Sequence, residues 1–231
     1  MVVDEKFYKR LRLFWWVYLV NFVFNILMNL LNQIGFKILN DYRDTGNEPK
    51  EFSIKFIKFL VENGSAFAYA ILIVSLIYFI SMILLRKYSK GLFITAVIGF
   101  ILTVLNLINV YMMDWKTYTY NPFVSIIQIT VTLGTIALSV LFAVSMMKLV
   151  KPFSKKITTL WMVYLYMVIG DIVIRLINTI TVFLSRSENS VSVQNVIITI
   201  VKIYKNLIGL FPILCLLLTV LMFKKKLQVE E

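Results

Sequence analysis

Residues 155–180 read KKITTLWMVYLYMVIGDIVIRLINTI. The run is apolar and long enough to cross a bilayer, for which about 20 residues are the usual need. Yet Asp171 and Arg175 sit well inside it. An ionisable group at the centre of a membrane helix costs about 3 kcal/mol on insertion scales, so it turns toward a protein interior or a polar cavity. Residues four apart share a helix face, which makes Arg175 the partner that spacing offers Asp171, with Asn178 extending the same face. A membrane helix with one polar side turned toward other helices is therefore expected here.

The segment has a relative in the same chain. Residues 9–34 read KRLRLFWWVYLVNFVFNILMNLLNQI, and at a fixed offset of 146 Lys9, Trp15, Val17, Tyr18, Leu19, Ile26, Leu30, Asn32 and Ile34 match Lys155, Trp161, Val163, Tyr164, Leu165, Ile172, Leu176, Asn178 and Ile180. Asn25 and Asn29 fall where Asp171 and Arg175 stand. Trp, Tyr, Asn and Lys are not the identities that shared apolar composition supplies, so the match is read as a repeat.

Of the 231 residues, 60% are hydrophobic and 16% charged, with a mean hydropathy of +0.84. Soluble domains hold about 45–50% apolar and 25% charged residues, so a water-facing surface is not the expectation. The apolar runs are continuous and do not alternate, which points to helices and away from a β-barrel. The chain has no histidine and one cysteine, Cys215. Imidazole metal sites, histidine-activated nucleophiles and an intrachain disulfide are thereby excluded. No cofactor is expected. The net charge of +12 is read as basic loops set against anionic lipid headgroups and not as a nucleic-acid surface. Residues 1–12 resemble the start of a signal peptide, but the apolar run continues through Ile34 with no small-residue cleavage site, so a retained span is expected.

Six spans follow, at about 13–34, 66–85, 91–113, 123–147, 158–183 and 206–223. The segment FSIKFIKFLVEN after span 1 carries a broad apolar side with Lys55 and Lys58 interspersed, the pattern of a helix lying at the membrane surface. VIITIVKIYKN after span 5, with Lys202 and Lys205, is read the same way. Lysine and arginine cluster before span 1 (Lys6, Lys9, Arg10, Arg12), between spans 2 and 3 (Arg86, Lys87, Lys90), between spans 4 and 5 (Lys148, Lys151, Lys155, Lys156) and after span 6 (Lys224, Lys225, Lys226). The positive-inside rule then gives a multi-pass cell-membrane protein with both termini in the cytoplasm.

The repeat extends to three units. Asn29-Leu-Leu-Asn32 in span 1 corresponds to Asn106-Leu-Ile-Asn109 in span 3 and Arg175-Leu-Ile-Asn178 in span 5; Ser81-Met82 in span 2 recurs as Ser145-Met146 in span 4. One domain, residues 1–231, is thus expected as three hairpins, 9–86, 87–154 and 155–226. Each holds two crossings, so an axis along the membrane normal relates them. An all-α, pseudo-threefold six-helix bundle would bring Asn25, Asn29, Asn32, Asn106, Asn109, Asp171, Arg175 and Asn178 toward one polar axis. From a cytoplasmic entry near residue 159, Asp171 lies roughly 18 Å deep. Two polar stripes support that axis. Tyr18, Asn21, Asn25, Asn29 and Asn32 run down span 1, and Ser125, Gln128, Thr132, Thr135 and Ser139 down span 4. Pro212, inside span 6, frees the carbonyl of Ile208 and is expected to kink the helix.

No HExxH, GxSxG, Asp-rich metal motif or glycine-rich phosphate loop occurs, and Asp171 is the only acid within a span, so an enzyme is not expected. The plan of three hairpins with surface helices after odd spans resembles that of mitochondrial carriers. The resemblance is one of architecture alone, since no odd span contains the proline of their Pro-x-Asp/Glu-x-x-Lys/Arg signature and the chain is shorter. The expected function is a channel or transporter for a polar or ionic solute. The alternative is an accessory or assembly protein in which the Asp171–Arg175 pair is structural and meets a partner membrane subunit.

Overall fold

The structure, a computed structural model, describes residues 4–45, 51–112, 122–184 and 191–230. Within these segments the side chains of Asn29, Asn32, Asn109, Arg175 and Asn178 lie outside the described residues. Everything described is helix or short turn: α1 Glu5–Thr45, α2 Glu51–Glu62, α3 Gly64–Ile83, α4 Lys90–Met112, α5 Pro122–Val150, α6 Lys155–Leu184 and α7 Val191–Glu230. Five of them contain stretches long and apolar enough to cross a membrane: Glu5–Gly35, Lys90–Ile108, Ile126–Val150, Lys155–Ile174 and Leu207–Gln228. The expected span at 66–85 coincides with α3, but its described apolar stretch, Tyr69–Ile83, rises only about 22 Å, short of the roughly 30 Å hydrocarbon layer.

Two expectations need correction. Residues 196–206 do not form a separate surface helix, because α7 runs unbroken from Val191 to Glu230 and through Pro212. Nothing between Val191 and Ile208 is Gly or Pro, so the helix that serves span 6 simply propagates backward. Span 1 likewise continues past Ile34 to Thr45, since the next proline is Pro49. The helix after span 1 does exist as a separate element, α2, with Phe52, Ile54 and Phe59 exposed.

The six long helices close a ring in chain order. Each adjoins its neighbours in sequence, α1 to α3, α3 to α4, α4 to α5, α5 to α6 and α6 to α7, and α1 packs on α7 to complete the circle. Phe7 meets Phe223 with ring centroids 4.9 Å apart, and higher up Gly209 lies against Phe22, so α1 and α7 run antiparallel. The α3–α4 turn joins the same end through Phe7 and Tyr88, 4.6 Å apart, and the α5–α6 turn through Phe153 and Phe223, 5.1 Å apart. The start of α1, the end of α7 and both short turns therefore share one end of the ring, and the basic clusters gather there.

At that end three helices start on side-chain caps. Asp4 accepts the Phe7 N–H at 2.7 Å, Ser89 that of Leu92 at 3.3 Å and Ser154 that of Ile157 at 3.3 Å. Each cap satisfies one orphan amide of α1, α4 or α6, a contribution of about 1 kcal/mol. Between apolar helices in lipid, close approach and van der Waals packing replace the hydrophobic drive. Gly99 illustrates this, since a Cβ there would strike the Phe79 ring and crowd Leu138.

Candidate functional site: a chamber inside the helix ring

The inward faces of the helices change character along their length. On α1 the residues at 3–4 spacing are Phe7, Leu11 and Phe14, all fully buried, then Tyr18, Asn21 and Asn25. Asn25 lies on the same stripe as Phe7 and yet is exposed. The α5 stripe runs Leu149, Met146 and Phe142, buried, then Ser139, Thr135, Thr132 and Gln128, the last three exposed. On α4 it is Leu92, Ala96 and Gly99, buried, then Thr103 and exposed Asn106. In a ring of helices, a face sealed in one half and open in the other bounds a hollow. Toward the start of α1 and the end of α7 the inward stripes are buried, and farther along the described positions Asn25, Asn106, Gln128, Thr132 and Thr135 are exposed.

The closed half is an aromatic floor made across the ring. Phe142 of α5 lies 6.1 Å from Phe14 and 6.0 Å from Tyr18 of α1, and 5.5 Å from Trp161 of α6. Tyr78 of α3 meets Phe14 at 5.8 Å and Tyr18 at 5.6 Å. Trp161 is wholly buried and donates its indole N–H to the Thr219 hydroxyl at 3.2 Å; Thr219 donates in turn to the Cys215 carbonyl at 2.6 Å. A buried indole needs such an acceptor. Trp15, its counterpart at offset 146, is half-buried and donates to the Ile213 carbonyl at 3.3 Å. The two tryptophans thus hold α7 from opposite sides.

Above the floor lies a chamber of about 360 Å³. Its lining comes from α1 (Tyr18), α5 (Thr135, Ile136, Ser139), α6 (Tyr164, Val168, Asp171) and α7 (Ile208, Gly209). Helices α1 and α5 do not adjoin in the ring, so a cavity that both line occupies its middle. Asp171 is the one acid on this wall and is 9% exposed. Thr132, Thr135 and Ser139 donate their hydroxyl protons back to the carbonyls of Gln128, Val131 and Thr135 at 2.7–3.0 Å. Their donors being spent on the helix, they turn oxygen lone pairs outward. The chamber thus brings the Thr135 and Ser139 oxygens of α5 together with the Tyr18 and Tyr164 phenols and the Asp171 carboxylate. Gly209 leaves room beside it for Phe22, where a Cβ would come within 2.5 Å of the ring.

Of the residues expected on the axis, Asp171 lines the chamber, while Asn25, Asn106 and Gln128 are exposed on the inward stripes of α1, α4 and α5. Asn25 is bonded within its own helix, its amide donating to the carbonyl of Asn21 at 2.7 Å and to its side-chain oxygen at 3.2 Å. Asn29, Asn32, Asn109, Arg175 and Asn178 stand on α1, α4 and α6 with side chains outside the described residues, and the pairing expected of Asp171 with Arg175 lies outside them as well. Tyr18, Thr135 and Ser139 stand on the two polar stripes read from the sequence, whereas Tyr164 was not among the expected residues. The signal for it was present, since Tyr164 lies seven residues before Asp171 and Tyr18 occupies the matching place in the repeat.

Comparison of the chain with protein-family models, with curated proteins and with solved structures gives no match.

Proposed function

We propose that this protein is a six-span cell-membrane channel or transporter for a small polar or ionic solute, with both termini cytoplasmic and α3 serving as the sixth span. The carrying observation is the change, at one level of the ring, from an aromatic floor to a chamber lined by Asp171, Tyr18, Tyr164, Thr135 and Ser139. In this reading the conformation is closed toward the cytoplasm and open outward. Solute enters the chamber, exchanges water for the acceptor oxygens of α5 and the Asp171 carboxylate, and passes when the aromatic floor parts. Three related hairpins about one axis account for Tyr18 and Tyr164 lining the same chamber, and for Ser81-Met82 and Ser145-Met146 both being buried. In this arrangement α2 lies at the outer membrane surface, with its exposed phenylalanines in lipid.

The test is flux in reconstituted vesicles with cationic, neutral and anionic small solutes. Uptake of at least one class is expected, lost in Asp171→Ala while the variant keeps its elution profile and thermal midpoint in detergent. No uptake of any class by the unaltered protein would overturn the proposal and leave the accessory role in its place.

A further inference from the structure

A second cavity, unrelated to the chamber, opens at the end of the ring that holds the termini. It is a groove of about 470 Å³ between the first turn of α4 and the last turns of α5. Lys90 and Lys148 stand on its two sides, Ser89 and Ser145 on its floor, and Leu141 and Val144 on the wall that continues up α5. Both lysines are exposed, and neither has a carboxylate within 4.0 Å among the described residues.

Ser145 supplies the sharper sign. It is only 6% exposed. Three other buried hydroxyls are satisfied by their own helices, Ser81 donating to the Tyr78 carbonyl at 2.6 Å, Thr95 to that of Gly91 at 2.8 Å and Thr219 to that of Cys215 at 2.6 Å. Among the described residues Ser145 makes no such bond, and its hydroxyl opens on the groove. A hydroxyl at the wall of a groove and unused by its own helix can donate to a ligand oxygen. Gly91 makes the space, since a Cβ at that position would collide with the Ser145 oxygen.

Position identifies the occupant. Lys90 opens the apolar stretch of α4 and Lys148 lies in the last turn of that of α5, so both lysines stand at headgroup depth. Leu141, 38% exposed, lies about two turns deeper, among the acyl chains. We infer that this groove binds one anionic glycerophospholipid, its phosphate held between Lys90 and Lys148 with the Ser145 hydroxyl donating to a phosphate oxygen, and one acyl chain running along Leu141 and Val144. The capped N-terminus of α4 adds its dipole to the same side of the charge. The apolar wall selects a lipid over a free anion, and the two cations select an anionic headgroup over a zwitterionic one. The site is independent of any transport by the chamber.

The experiment is native mass spectrometry and thermal unfolding of the full chain in detergent, with dioleoyl phosphatidylglycerol, dioleoyl phosphatidylcholine or inorganic phosphate added. One phosphatidylglycerol per chain is expected to be retained and to raise the midpoint, with phosphatidylcholine doing neither. Lys90→Gln/Lys148→Gln should keep the lipid-free midpoint, both lysines being exposed, and bind about 30-fold more weakly, from about 1 kcal/mol per lysine. Ser145→Ala should bind about fivefold more weakly, the loss of one ordinary hydrogen bond. Lys90→Arg/Lys148→Arg should retain binding, and Lys155→Gln/Lys156→Gln, basic residues at the same end but outside the groove, should leave it unchanged. Equal retention of both lipids, equal loss from the 155/156 pair, or full protection by phosphate alone would each overturn the inference.

Discussion

Tyr18 and Phe142 stack with ring centroids 6.0 Å apart and planes 16° from parallel, although the helices that carry them are not neighbours in the ring. A stack between α1 and α5 spans the interior and closes it. Phe142 also meets Phe14 and Trp161, so one side chain joins three helices at the floor. Phe142→Ala is expected to lower stability by about 3–5 kcal/mol, the usual cost of emptying an aromatic core site. Chemical unfolding in mixed micelles measures this. In vesicles the same variant should leak small solutes that the unaltered protein retains.

The hollow half of the ring is open to a direct probe. In a Cys215→Ser background, where the buried native thiol is gone, Asn25→Cys and Gln128→Cys should react with a charged, membrane-impermeant thiosulfonate. Trp161→Cys, in the floor, should react at least about tenfold more slowly. Equal rates at all three positions would mean that the interior is not sealed at Trp161.

Thr219 receives the Trp161 indole and passes its own proton to the Cys215 carbonyl. Thr219→Val preserves shape and leaves the indole N–H buried without an acceptor, an expected loss of about 1–3 kcal/mol. Thr219→Ser should recover most of it. Comparison of unfolding midpoints in one detergent decides the matter.

The clamp at the terminal end should show itself in pH dependence. The Asp4 carboxylate accepts the Phe7 N–H at 2.7 Å and the Tyr88 hydroxyl at 3.0 Å. Chiefly the bond from Phe7 holds the Asp4 pKa below its ordinary value, while burial, and then the bond to Asp4, push the Tyr88 phenol above its own. A depressed carboxylate stabilises the fold above the unfolded pKa of about 3.9, and the contribution disappears as pH falls through the lower folded value. A raised phenol stabilises below about 10, and that contribution disappears as pH rises through the higher folded value. The gap in thermal midpoint between the unaltered protein and Asp4→Ala is therefore expected to be flat between about pH 5 and 9 and to narrow on either side. A gap that widens in acid would contradict this assignment.

Much of this arrangement was legible in the sequence. The α6 stripe through Asp171 and the polar stripes of α1 and α5 gave the inward faces, because a residue that is costly in lipid must turn away from it. Tertiary pairing was not legible in the same way. Phe14, Phe142 and Trp161 are as welcome in hydrocarbon as in a protein interior, so apolar periodicity does not separate a floor across the ring from a lipid-facing side. The unbroken α7 was hidden for another reason. Lys202, Lys205 and Asn206 read as the edge of a membrane, whereas a helix stops for want of backbone bonds, and no residue there removes one. The caps at Asp4, Ser89 and Ser154 were visible as residue types but only gained meaning once the helix starts were fixed.

Closure of the ring through α1 and α7 joins two helices far apart in the chain. During synthesis, Phe7, Trp15 and Phe22 precede Phe223, Ile213 and Gly209, so the α1 edge stays unfilled until α7 has been made. The ring is thus completed only when α7 docks, and a deletion within Leu207–Gln228 is expected to destabilise it more than one in a connecting turn.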